Sequence, residues 1–450
     1  MRKIKQKALF TLLTILSVGI GKVKAQSYAI TNIAGDSSFG FSGDGGSAVI
    51  ATLLDPMEVS ADSIGNVYFT DWGNSRVRVA TSNGIISTIA GNGFFGFSGD
   101  GGPAKSAELN GPMGVFGENS GNVLISDIGN DRVRKVNTSG IISTIAGTGT
   151  YGFSGDGGPA TLASFRDPIA LAEDTKGDIF IVDVFNSRIR KIDHSTGIIT
   201  TVVGCGVRGY SGDGGPATLA ELYYPSGINL DDSGNIYIAD ANNFCIRKVT
   251  TTGYIYTVAG NGIAGYSGDG GSATSAELNY PSGVAADNSG DIFIADQFNN
   301  RIREVSKNGI ITTIAGNNKL GYSNESENAT SITLYNPTGI TIGPQQVLYL
   351  ADAYNNTIRK LTIAPFISPE SGEVTIYPNP SYGVFNIKLQ GINSQAQIEV
   401  YNILGQRVYY VSLNSTITQM DLSTQSKGVY LYRVITSENE IIARGKVIVL

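Results

Sequence analysis

A phrase of six residues recurs at a nearly constant spacing along most of the 450-residue chain. An aromatic residue is followed by Ser-Gly-Asp-Gly-Gly, and the aspartates are Asp44, Asp100, Asp156, Asp213 and Asp269, with Asn324 in a diverged sixth copy. Successive copies are 56, 56, 57, 56 and 55 residues apart. A fixed period of this length indicates a repeat architecture, in which each unit buries its apolar face against its neighbours. Six near-equal units favour a repeated binding surface over one specialised active site.

The fifth unit shows what one repeat contains. Its segments 281–287, 291–296, 301–305 and 310–315 are short, apolar or alternating, and turns rich in Gly, Asn and Asp separate them. Four antiparallel strands joined by tight turns are typical of a β-propeller blade. The sequence therefore predicts an all-β fold, with a six-bladed β-propeller over residues 26–364.

The two ends of the repeat region are complementary. The sixth unit ends near Thr362 without its fourth strand, whereas an unmatched copy of that strand, residues 28–35, precedes the first unit. We expect this N-terminal strand to complete the sixth blade, because closing the ring removes exposed strand edges that invite aggregation.

A second phrase keeps the same period. An aspartate ends the second strand of each unit and is followed by Asn and, in four of the six units, by an Arg-x-Arg pair; these aspartates are Asp71, Asp127, Asp183, Asp240, Asp296 and Asp352. In an antiparallel sheet, the end of strand two and the end of strand four share one rim with the start of strand three, which we call the top rim. We expect both phrases to meet there. The candidate ligand-binding residues are these six aspartates together with Tyr210, Tyr322 and Asn324.

Irregularities among the units indicate how the two phrases interact. The unit with Asn324 also has Thr357 in place of the first Arg of the pair, and the unit with Cys245 in that place carries the extra Cys205. We therefore predict ion pairs between the loop aspartate and the first arginine, namely Asp44–Arg76, Asp100–Arg132, Asp156–Arg188 and Asp269–Arg301. A Cys205–Cys245 disulfide is the predicted replacement in the fourth unit. The second arginine of each pair is expected to contact the aspartate that ends strand two.

The N-terminus and the overall charge limit the compartment and the partners. A basic segment, an apolar stretch at 8–20 and small residues before Gln26 predict a signal peptide, residues 1–25, cleaved near Ala25–Gln26. A bilayer span needs about 20 apolar residues, and no segment of the mature chain is long enough. The net charge of −6, without a basic stripe, argues against nucleic acid as a partner.

The chain offers few residues for metal binding or nucleophilic catalysis. It has one histidine, His194, which excludes any site that needs two or three histidine ligands. No Gly-x-Ser-x-Gly elbow accompanies that histidine. We therefore predict no metal or other cofactor, while a calcium site of carboxylates and asparagines at the channel mouth stays open as an alternative.

The repeats resemble the NHL family of six-bladed β-propellers. The resemblance rests on Pro-Ser-Gly-Val-Ala-Ala-Asp at 281–287, Gly-Asn-Ile-Tyr-Ile-Ala-Asp at 234–240 and Asn-Arg-Ile-Arg-Glu-Val at 300–305, and it covers roughly residues 28–364. Members of this family share their fold far more than their activity, so the resemblance implies the fold and not a reaction.

The period stops after Ile363, and a different domain follows. Residues 365–373 are rich in Pro, Ser and Gly, which is typical of a linker. Residues 374–450 contain short strands at the spacing of an immunoglobulin-like β-sandwich. The sequence therefore predicts a C-terminal β-sandwich domain.

This C-terminal domain is similar to the sorting domain of the type IX secretion system of Bacteroidetes. Four motifs carry the resemblance: Tyr-Pro-Asn-Pro at 377–380, Asn-Ile-Leu-Gly-Gln at 402–406, Gly-Val-Tyr-Leu-Tyr at 428–432 and Lys-Val-Ile-Val-Leu at 446–450. The resemblance implies the type IX machinery as a partner. It also implies passage through the periplasm, followed by release or by attachment at the outer-membrane surface.

These expectations favour a secreted or surface-attached binding protein. Its ligand is expected to be a glycan, a peptide or a protein, held at the top rim or the channel mouth. The alternative is a propeller enzyme, a lyase or a lactonase, with its site at the channel mouth. A pocket lined by unequal polar residues would favour the enzyme, whereas a flat and regular rim would favour binding.

Overall fold

The computed structural model describes residues 27–326, 328–363, 373–390, 396–413, 415, 417–436 and 441–450. Across these ranges the fold is all-β, with strands joined by turns and by three-residue 3-10 turns. No helix in the described part is long and apolar enough to cross a membrane. The chain divides into two compact units, Met1–Ala364 and Pro365–Leu450. The predicted signal peptide, residues 1–25, lies outside the described residues, as do residues 365–372 of the predicted linker.

The first unit contains 24 strands over its described residues. The first thirteen are β1 (Tyr28–Ala34), β2 (Pro56–Ala61), β3 (Val67–Asp71), β4 (Arg76–Ala80), β5 (Ile86–Ala90), β6 (Pro112–Gly117), β7 (Val123–Asp127), β8 (Arg132–Val136), β9 (Ile142–Ala146), β10 (Pro168–Glu173), β11 (Ile179–Asp183), β12 (Arg188–Ile192) and β13 (Ile199–Val203). The others are β14 (Pro225–Leu230), β15 (Ile236–Asp240), β16 (Cys245–Val249), β17 (Ile255–Ala259), β18 (Pro281–Ala286), β19 (Ile292–Asp296), β20 (Arg301–Val305), β21 (Ile311–Ala315), β22 (Pro337–Ile342), β23 (Leu348–Asp352) and β24 (Thr357–Ile363).

Two 3-10 turns belong to each repeat. One precedes the first strand: Ala48–Ile50, Ala104–Ser106, Ala160–Leu162, Ala217–Leu219, Ala273–Ser275 and Ala329–Ser331. The other follows the second strand: Trp72–Asn74, Ile128–Asn130, Val184–Asn186, Ala241–Asn243, Gln297–Asn299 and Ala353–Asn355. A further 3-10 turn is Pro344–Gln346.

The strands form a repeating series of four-stranded antiparallel sheets. Sheets 1 to 5 are β2–β5, β6–β9, β10–β13, β14–β17 and β18–β21, and sheet 6 has the order β1-β24-β23-β22. In the pairing of β1 with β24, Tyr28 lies opposite Ile363 and Ala34 lies opposite Ile358. The structure thus confirms that the N-terminal strand completes the last sheet.

The sheets follow one another around a ring. The first strand of each sheet contacts the first strand of the next, in the order β2, β6, β10, β14, β18 and β22, and β22 contacts β2. This arrangement is a β-propeller, with the first strands around a central channel and the fourth strands at the outer edge.

The core lies between neighbouring sheets. Three residues before the Pro of each first strand, one large apolar side chain is fully buried; the six are Leu53, Leu109, Phe165, Leu222, Leu278 and Leu334. Leu109, for example, packs with Val77 of sheet 1 and Ile125 of sheet 2. Burying one such side chain contributes about 1.5–3 kcal/mol, so these contacts stabilise each junction of the ring.

The second unit has seven strands in its described residues, which form two sheets. They are β25 (Glu373–Tyr377), β26 (Val384–Gln390), β27 (Ala396–Tyr401), β28 (Arg407–Leu413), β29 (Ile417–Asp421), β30 (Gly428–Thr436) and β31 (Ile441–Val449). The sheet orders are β25-β26-β29 and β28-β27-β30-β31. Phe385 and Met420 of the first sheet share a core with Ile398 and Val434 of the second.

Candidate functional site

The aspartate that ends each second strand is a buried anchor. Asp71 has no exposed surface. It accepts hydrogen bonds from the Leu54 amide (2.8 Å) and the Asn74 side chain (2.8 Å), and it pairs with Arg78 at 3.1 Å. The same contacts hold Asp127, Asp183, Asp240, Asp296 and Asp352. These six aspartates, which the sequence offered as ligand-binding candidates, are therefore buried structural residues. Their carboxylates already accept hydrogen bonds from the protein.

The structure corrects the four predicted ion pairs, because the partner of each loop aspartate lies two residues further along the third strand. Asp44 pairs with Arg78 at 2.9 Å, and not with Arg76. The observed pairs are Asp44–Arg78, Asp100–Arg134, Asp156–Arg190, Asp213–Arg247 and Asp269–Arg303. Each of these five arginines is fully buried between two carboxylates, since the aspartate that ends strand two is its other partner, as expected from the sequence.

The first arginine of each pair has a different role. Arg76 donates to the carbonyls of Asn74 (3.0 Å) and Asn92 (2.8 Å), and its guanidinium stacks 3.8 Å from the centre of the Phe41 ring. Arg78 lies over the same ring at 4.7 Å, because side chains two positions apart on a strand share a face. Only the second arginine reaches the carboxylates. The other first arginines of the predicted pairs, which also stack on the loop aromatic residue, are Arg132, Arg188 and Arg301.

The Ser-Gly-Asp-Gly-Gly loops lie along the outer edge rather than on the top rim. The Gly45 amide donates to the Ile86 carbonyl (2.8 Å), and the Ile86 amide donates to Gly46 (3.0 Å), so this loop pairs with the fourth strand of sheet 1. The three exposed candidates belong to such loops. Tyr210 contacts Thr257 at 2.8 Å through its hydroxyl. Tyr322 lies over the buried Arg359, and Asn324 is exposed nearby.

The two cysteines are free, and the predicted Cys205–Cys245 disulfide is not formed. Neighbouring sheets hold the two residues. The carbonyl of Cys205 accepts a hydrogen bond from Arg188 of sheet 3 (2.8 Å), whereas Cys245 is the buried first residue of β16 in sheet 4. Burial raises the pKa of the Cys245 thiol well above its ordinary value, so this thiol stays protonated and unreactive.

A cavity of about 210 Å³ opens at the end of the channel where the first strands begin. We call it the central funnel. Directly after the Pro of each first strand, its wall contains Met57, Met113, Ile169, Ser226, Ser282 and Thr338. Before the Pro it contains Asp167, Tyr224, Tyr280 and Asn336. The rest of the wall is Glu58, Ala170 and Gly339, with Ile128, Val184, Phe185, Gln297 and Tyr354 from the turns.

The hydroxyl groups of the funnel wall tie neighbouring first strands together. Ser226 Oγ donates to the carbonyl of Pro281 (3.1 Å), and Ser282 Oγ donates to that of Thr338 (3.1 Å). Thr338 Oγ1 donates in turn to the carbonyl of Met57 (2.5 Å). These hydroxyl groups therefore donate to backbone carbonyls of the propeller. Other side chains supply most of the polar contacts that a ligand could make.

Aromatic rings form one continuous part of the wall. Phe185 meets Tyr224 edge-on with ring centres 5.1 Å apart, and Tyr224 lies 6.0 Å from Tyr280. Tyr280 stacks on Phe298 at 4.9 Å. Burial raises the pKa of Tyr224 and of Tyr280, so both phenols stay neutral under physiological conditions. Phe185, Tyr224 and Tyr280 therefore give the funnel an uncharged aromatic surface.

Glu58 is the unusual residue of the funnel wall. Its equivalents in the other units are Gly114, Ala170, Gly227, Gly283 and Gly339. A Cβ at Gly339 would collide with Glu58 Oε1, so the carboxyl group fits only because that neighbour is glycine. Its one side-chain hydrogen bond in the described structure comes from the adjacent Val59 amide at 3.2 Å. Burial raises the pKa of Glu58 to about 8.

The sequence analysis named the channel mouth as a possible ligand site but missed the residues of the funnel wall, because it followed the positions that all units share. The signal lay in the residues on either side of the constant Pro. Asp167 and Ile169 flank it in the third unit, whereas Tyr224 and Ser226 flank it in the fourth. Among the described residues, no group of three or more His, Cys, Asp or Glu side chains is placed to hold a metal ion.

Comparisons with known proteins match both parts of the chain. Residues 375–449 match the secretion system C-terminal sorting domain, and residues 205–265 and 263–326 match the teneurin NHL domain. Protein SUPPRESSOR OF QUENCHING 1, chloroplastic, of Arabidopsis thaliana is 29% identical over 255 residues, which cover 54% of this chain and 24% of that protein. Human Teneurin-1 is 29% identical over 234 residues, 47% of this chain and 8% of the teneurin. The chain thus spans less than two thirds of the length of either relative.

Two solved structures share the fold at low sequence identity. A Bacteroides thetaiotaomicron protein of unknown function has a TM-score of 0.56 and 18% identity, with 75% of this chain and 76% of that chain covered. An auxiliary nutrient binding protein from Bacteroides ovatus has a TM-score of 0.54 and 16% identity, with 75% and 77% covered. These structures show the propeller fold alone, and the sequence matches identify NHL repeats in the first unit and a type IX secretion sorting domain in the second.

Proposed function

We propose that the protein is a secreted six-bladed β-propeller that binds a glycan, peptide or protein ligand in its central funnel. The six four-stranded sheets are the blades, and the C-terminal unit is an immunoglobulin-like β-sandwich recognised by the type IX secretion machinery. A signal peptide cleaved near Ala25–Gln26 brings the chain to the periplasm. The propeller is then released, or is attached at the outer-membrane surface.

The wall of the central funnel, which is mostly apolar or aromatic and differs between units, is the observation that carries this proposal. Met57 and Met113 occupy the same repeat position as Ser226 and Ser282, although the buried arginines of the third strands are the same in every unit. A scaffold that needed only stability could place one residue type in all six positions. A concave site that is largely apolar, with a few polar groups, is typical of a ligand pocket.

The size of the funnel indicates how a ligand is bound. A volume of about 210 Å³ suits one sugar ring or one side chain, so a larger ligand enters by its end. The Bacteroides ovatus protein named an auxiliary nutrient binding protein shares this fold, which is compatible with a binding role. The proposal includes no metal or other cofactor; calcium is the alternative, and a rise in Tm on calcium addition would support it.

One observation favours a second candidate, a lyase or lactonase. The pocket is unequal rather than flat, and Glu58 has a pKa of about 8, which suits a general acid or base near neutral pH. Turnover of a lactone or uronate substrate that disappears in Glu58→Gln would support this enzyme. Binding is the better conclusion, because most of the wall is apolar or aromatic and its hydroxyls are occupied.

A glycan array and a cell-surface pull-down, with the chain lacking residues 1–25, test the binding function. Tyr280→Ala removes part of the aromatic wall and is expected to weaken capture by roughly tenfold. Tyr210→Ala is the matched change at the outer edge and is expected to leave capture unchanged. Loss of capture in Tyr210→Ala, with full capture by Tyr280→Ala, would place the ligand outside the funnel.

A further inference from the structure

We infer that the ligand of the central funnel carries a cationic nitrogen on an apolar or aromatic body, and that Glu58 is the residue that pairs with this nitrogen. This inference rests on the proposed binding function, since it names the ligand class for the same funnel. It follows from the charges on the wall, from the aromatic rings and from the environment of Glu58.

The side chains that line the funnel include carboxyl groups but no Lys or Arg. The carboxyl groups are those of Glu58 and Asp167. Two cations lie beside a residue of this wall: Arg166 and Arg208 stack on Phe185 at 5.5 and 5.6 Å from the ring centre. An anionic ligand would therefore meet two carboxyl groups inside the funnel and no cation to neutralise it. A cationic ligand would instead be attracted by the two carboxyl groups of the funnel.

The aromatic part of the wall also attracts cations. Tyr224, Tyr280 and Phe185 all line the funnel, and their π-faces carry negative charge density. A quaternary or protonated nitrogen near such faces is attracted electrostatically, and the attraction is strongest where water is excluded. The apolar body of the same ligand can pack on Met57 and Met113 across the rest of the wall.

Glu58 is a carboxyl group without a cationic partner among the described residues. Its one side-chain hydrogen bond comes from the neighbouring Val59 amide, and its Oε1 packs beside Gly339. In the corresponding position, the other units have glycine or alanine, so no stability requirement of the repeat explains a carboxyl group here. A half-buried carboxyl group that faces a cavity is suited to pair with a charge supplied by a ligand.

The protonation of Glu58 makes this pairing measurable. Because burial raises its pKa to about 8, Glu58 is largely protonated at pH 7 in the free protein. A bound cation stabilises the carboxylate, so binding lowers this pKa and releases a proton. The other titratable groups of the wall are Asp167, Tyr224, Tyr280 and Tyr354. The two Tyr residues with a raised pKa stay neutral, which leaves Asp167 as the competing source of the proton.

Titration calorimetry with the chain lacking residues 1–25 tests the inference. The probes are benzyltrimethylammonium, whose charge does not change with pH, and benzyl alcohol as the neutral comparison. Measurement at pH 7 in two buffers of different ionisation enthalpy gives the number of protons released. We expect the cation to bind at least roughly tenfold more tightly than the alcohol and to release a proton. Equal affinities, or no binding by the cation, would overturn the inference.

Three variants assign the effect to one residue. Glu58→Gln keeps the shape of the side chain and is expected to abolish both the preference for the cation and the proton release. Asp55→Asn changes a carboxyl group next to the same Pro but outside the funnel wall, and is expected to change neither. An unchanged preference in Glu58→Gln, or its loss in Asp167→Asn instead, would overturn the role of Glu58. Circular dichroism melting of each variant separates these outcomes from loss of the fold.

Different results would refute the inference about the ligand class and the proposed binding function. Suppose that a captured glycan or protein still requires Tyr280, but benzyltrimethylammonium does not compete with it. The inference about the cation is then wrong and the proposed function stands. If capture is indifferent to both Tyr280→Ala and Glu58→Gln, the funnel is not the binding site and both proposals fail together.

Discussion

The outer part of each sheet and the central funnel use the same repeat in opposite ways. Arg134 lies fully buried between Asp100 and Asp127, and four other units repeat this arrangement. In the funnel, by contrast, equivalent positions contain Met57 in one unit and Ser226 in another. A buried charge must be neutralised in every unit, whereas a ligand on the ring axis can take a different contact from each unit. Residues that are the same in every unit therefore indicate a role in stability. The central residues that differ between units indicate a role in function.

The largest effect is expected from deletion of residues 28–35. The deletion removes β1 from sheet 6, with the buried Tyr28 and Ile30, and leaves the edge of β24 unpaired. We expect aggregation or a fall in Tm of more than about 10 °C, measured by calorimetry and light scattering. Deletion of residues 1–25 alone is the control. If both proteins melt together, β1 does not close the ring.

The next effect compares two buried arginines. Arg134→Met leaves Asp100 and Asp127 without their cation, and we expect a loss of about 3–5 kcal/mol in the free energy of unfolding by urea. Arg359→Met is the matched change in the sixth unit, where Arg359 pairs with Asp352 and one guanidinium nitrogen has no partner among the described residues. We expect a smaller loss there. A larger loss for Arg359→Met would contradict the role of the loop aspartate.

The sequence alone predicts the regular part of the molecule well. The period, the four short segments of each unit and the unmatched copy at 28–35 predicted the four-stranded sheets and their closure. The sequence predicted a pair between Asp44 and Arg76, whereas Asp44 pairs with Arg78. Both arginines lie on one face of β4, and the sequence pattern alone does not say which one reaches inward to the carboxylates. The residues of the funnel wall were missed because they are irregular in sequence, and the ring brings them together only after all six sheets are in place.

The pH dependence of stability separates Glu58 from a regular carboxylate. The pKa of Glu58 is raised from 4.5 to about 8 in the folded protein, so the folded state holds its proton over this range and stability falls as the pH rises. Glu58→Gln removes this loss. Relative to the unmodified protein, the variant should gain about 2 kcal/mol between pH 5 and pH 9, after allowance for solvent at the funnel mouth. Urea unfolding at several pH values measures the difference.

Glu118→Gln is the matched control for this pH series. The side-chain bond from Lys135 contributes to a lowered pKa for Glu118, so its stabilisation is present above the ordinary pKa and is lost only in acid. The difference between this variant and the unmodified protein should therefore stay flat from pH 6 to pH 9. A flat profile for Glu58→Gln as well would show that Glu58 is ionised in the folded protein.

The smallest effect is expected from Cys205→Ser, at the outer edge where the fourth unit departs from the repeat. Both thiols are free, so the substitution should shift Tm by no more than about 1–2 °C. A disulfide would instead contribute about 3–4 kcal/mol, and its loss would be plain in the melting curve. Thiol titration gives an independent measurement: Cys205 is partly exposed and should react in the native protein, whereas the buried Cys245 should react only after unfolding. If no thiol reacts even in denaturant, the two cysteines are bonded, and this irregularity belongs with the stabilising contacts of the outer edge.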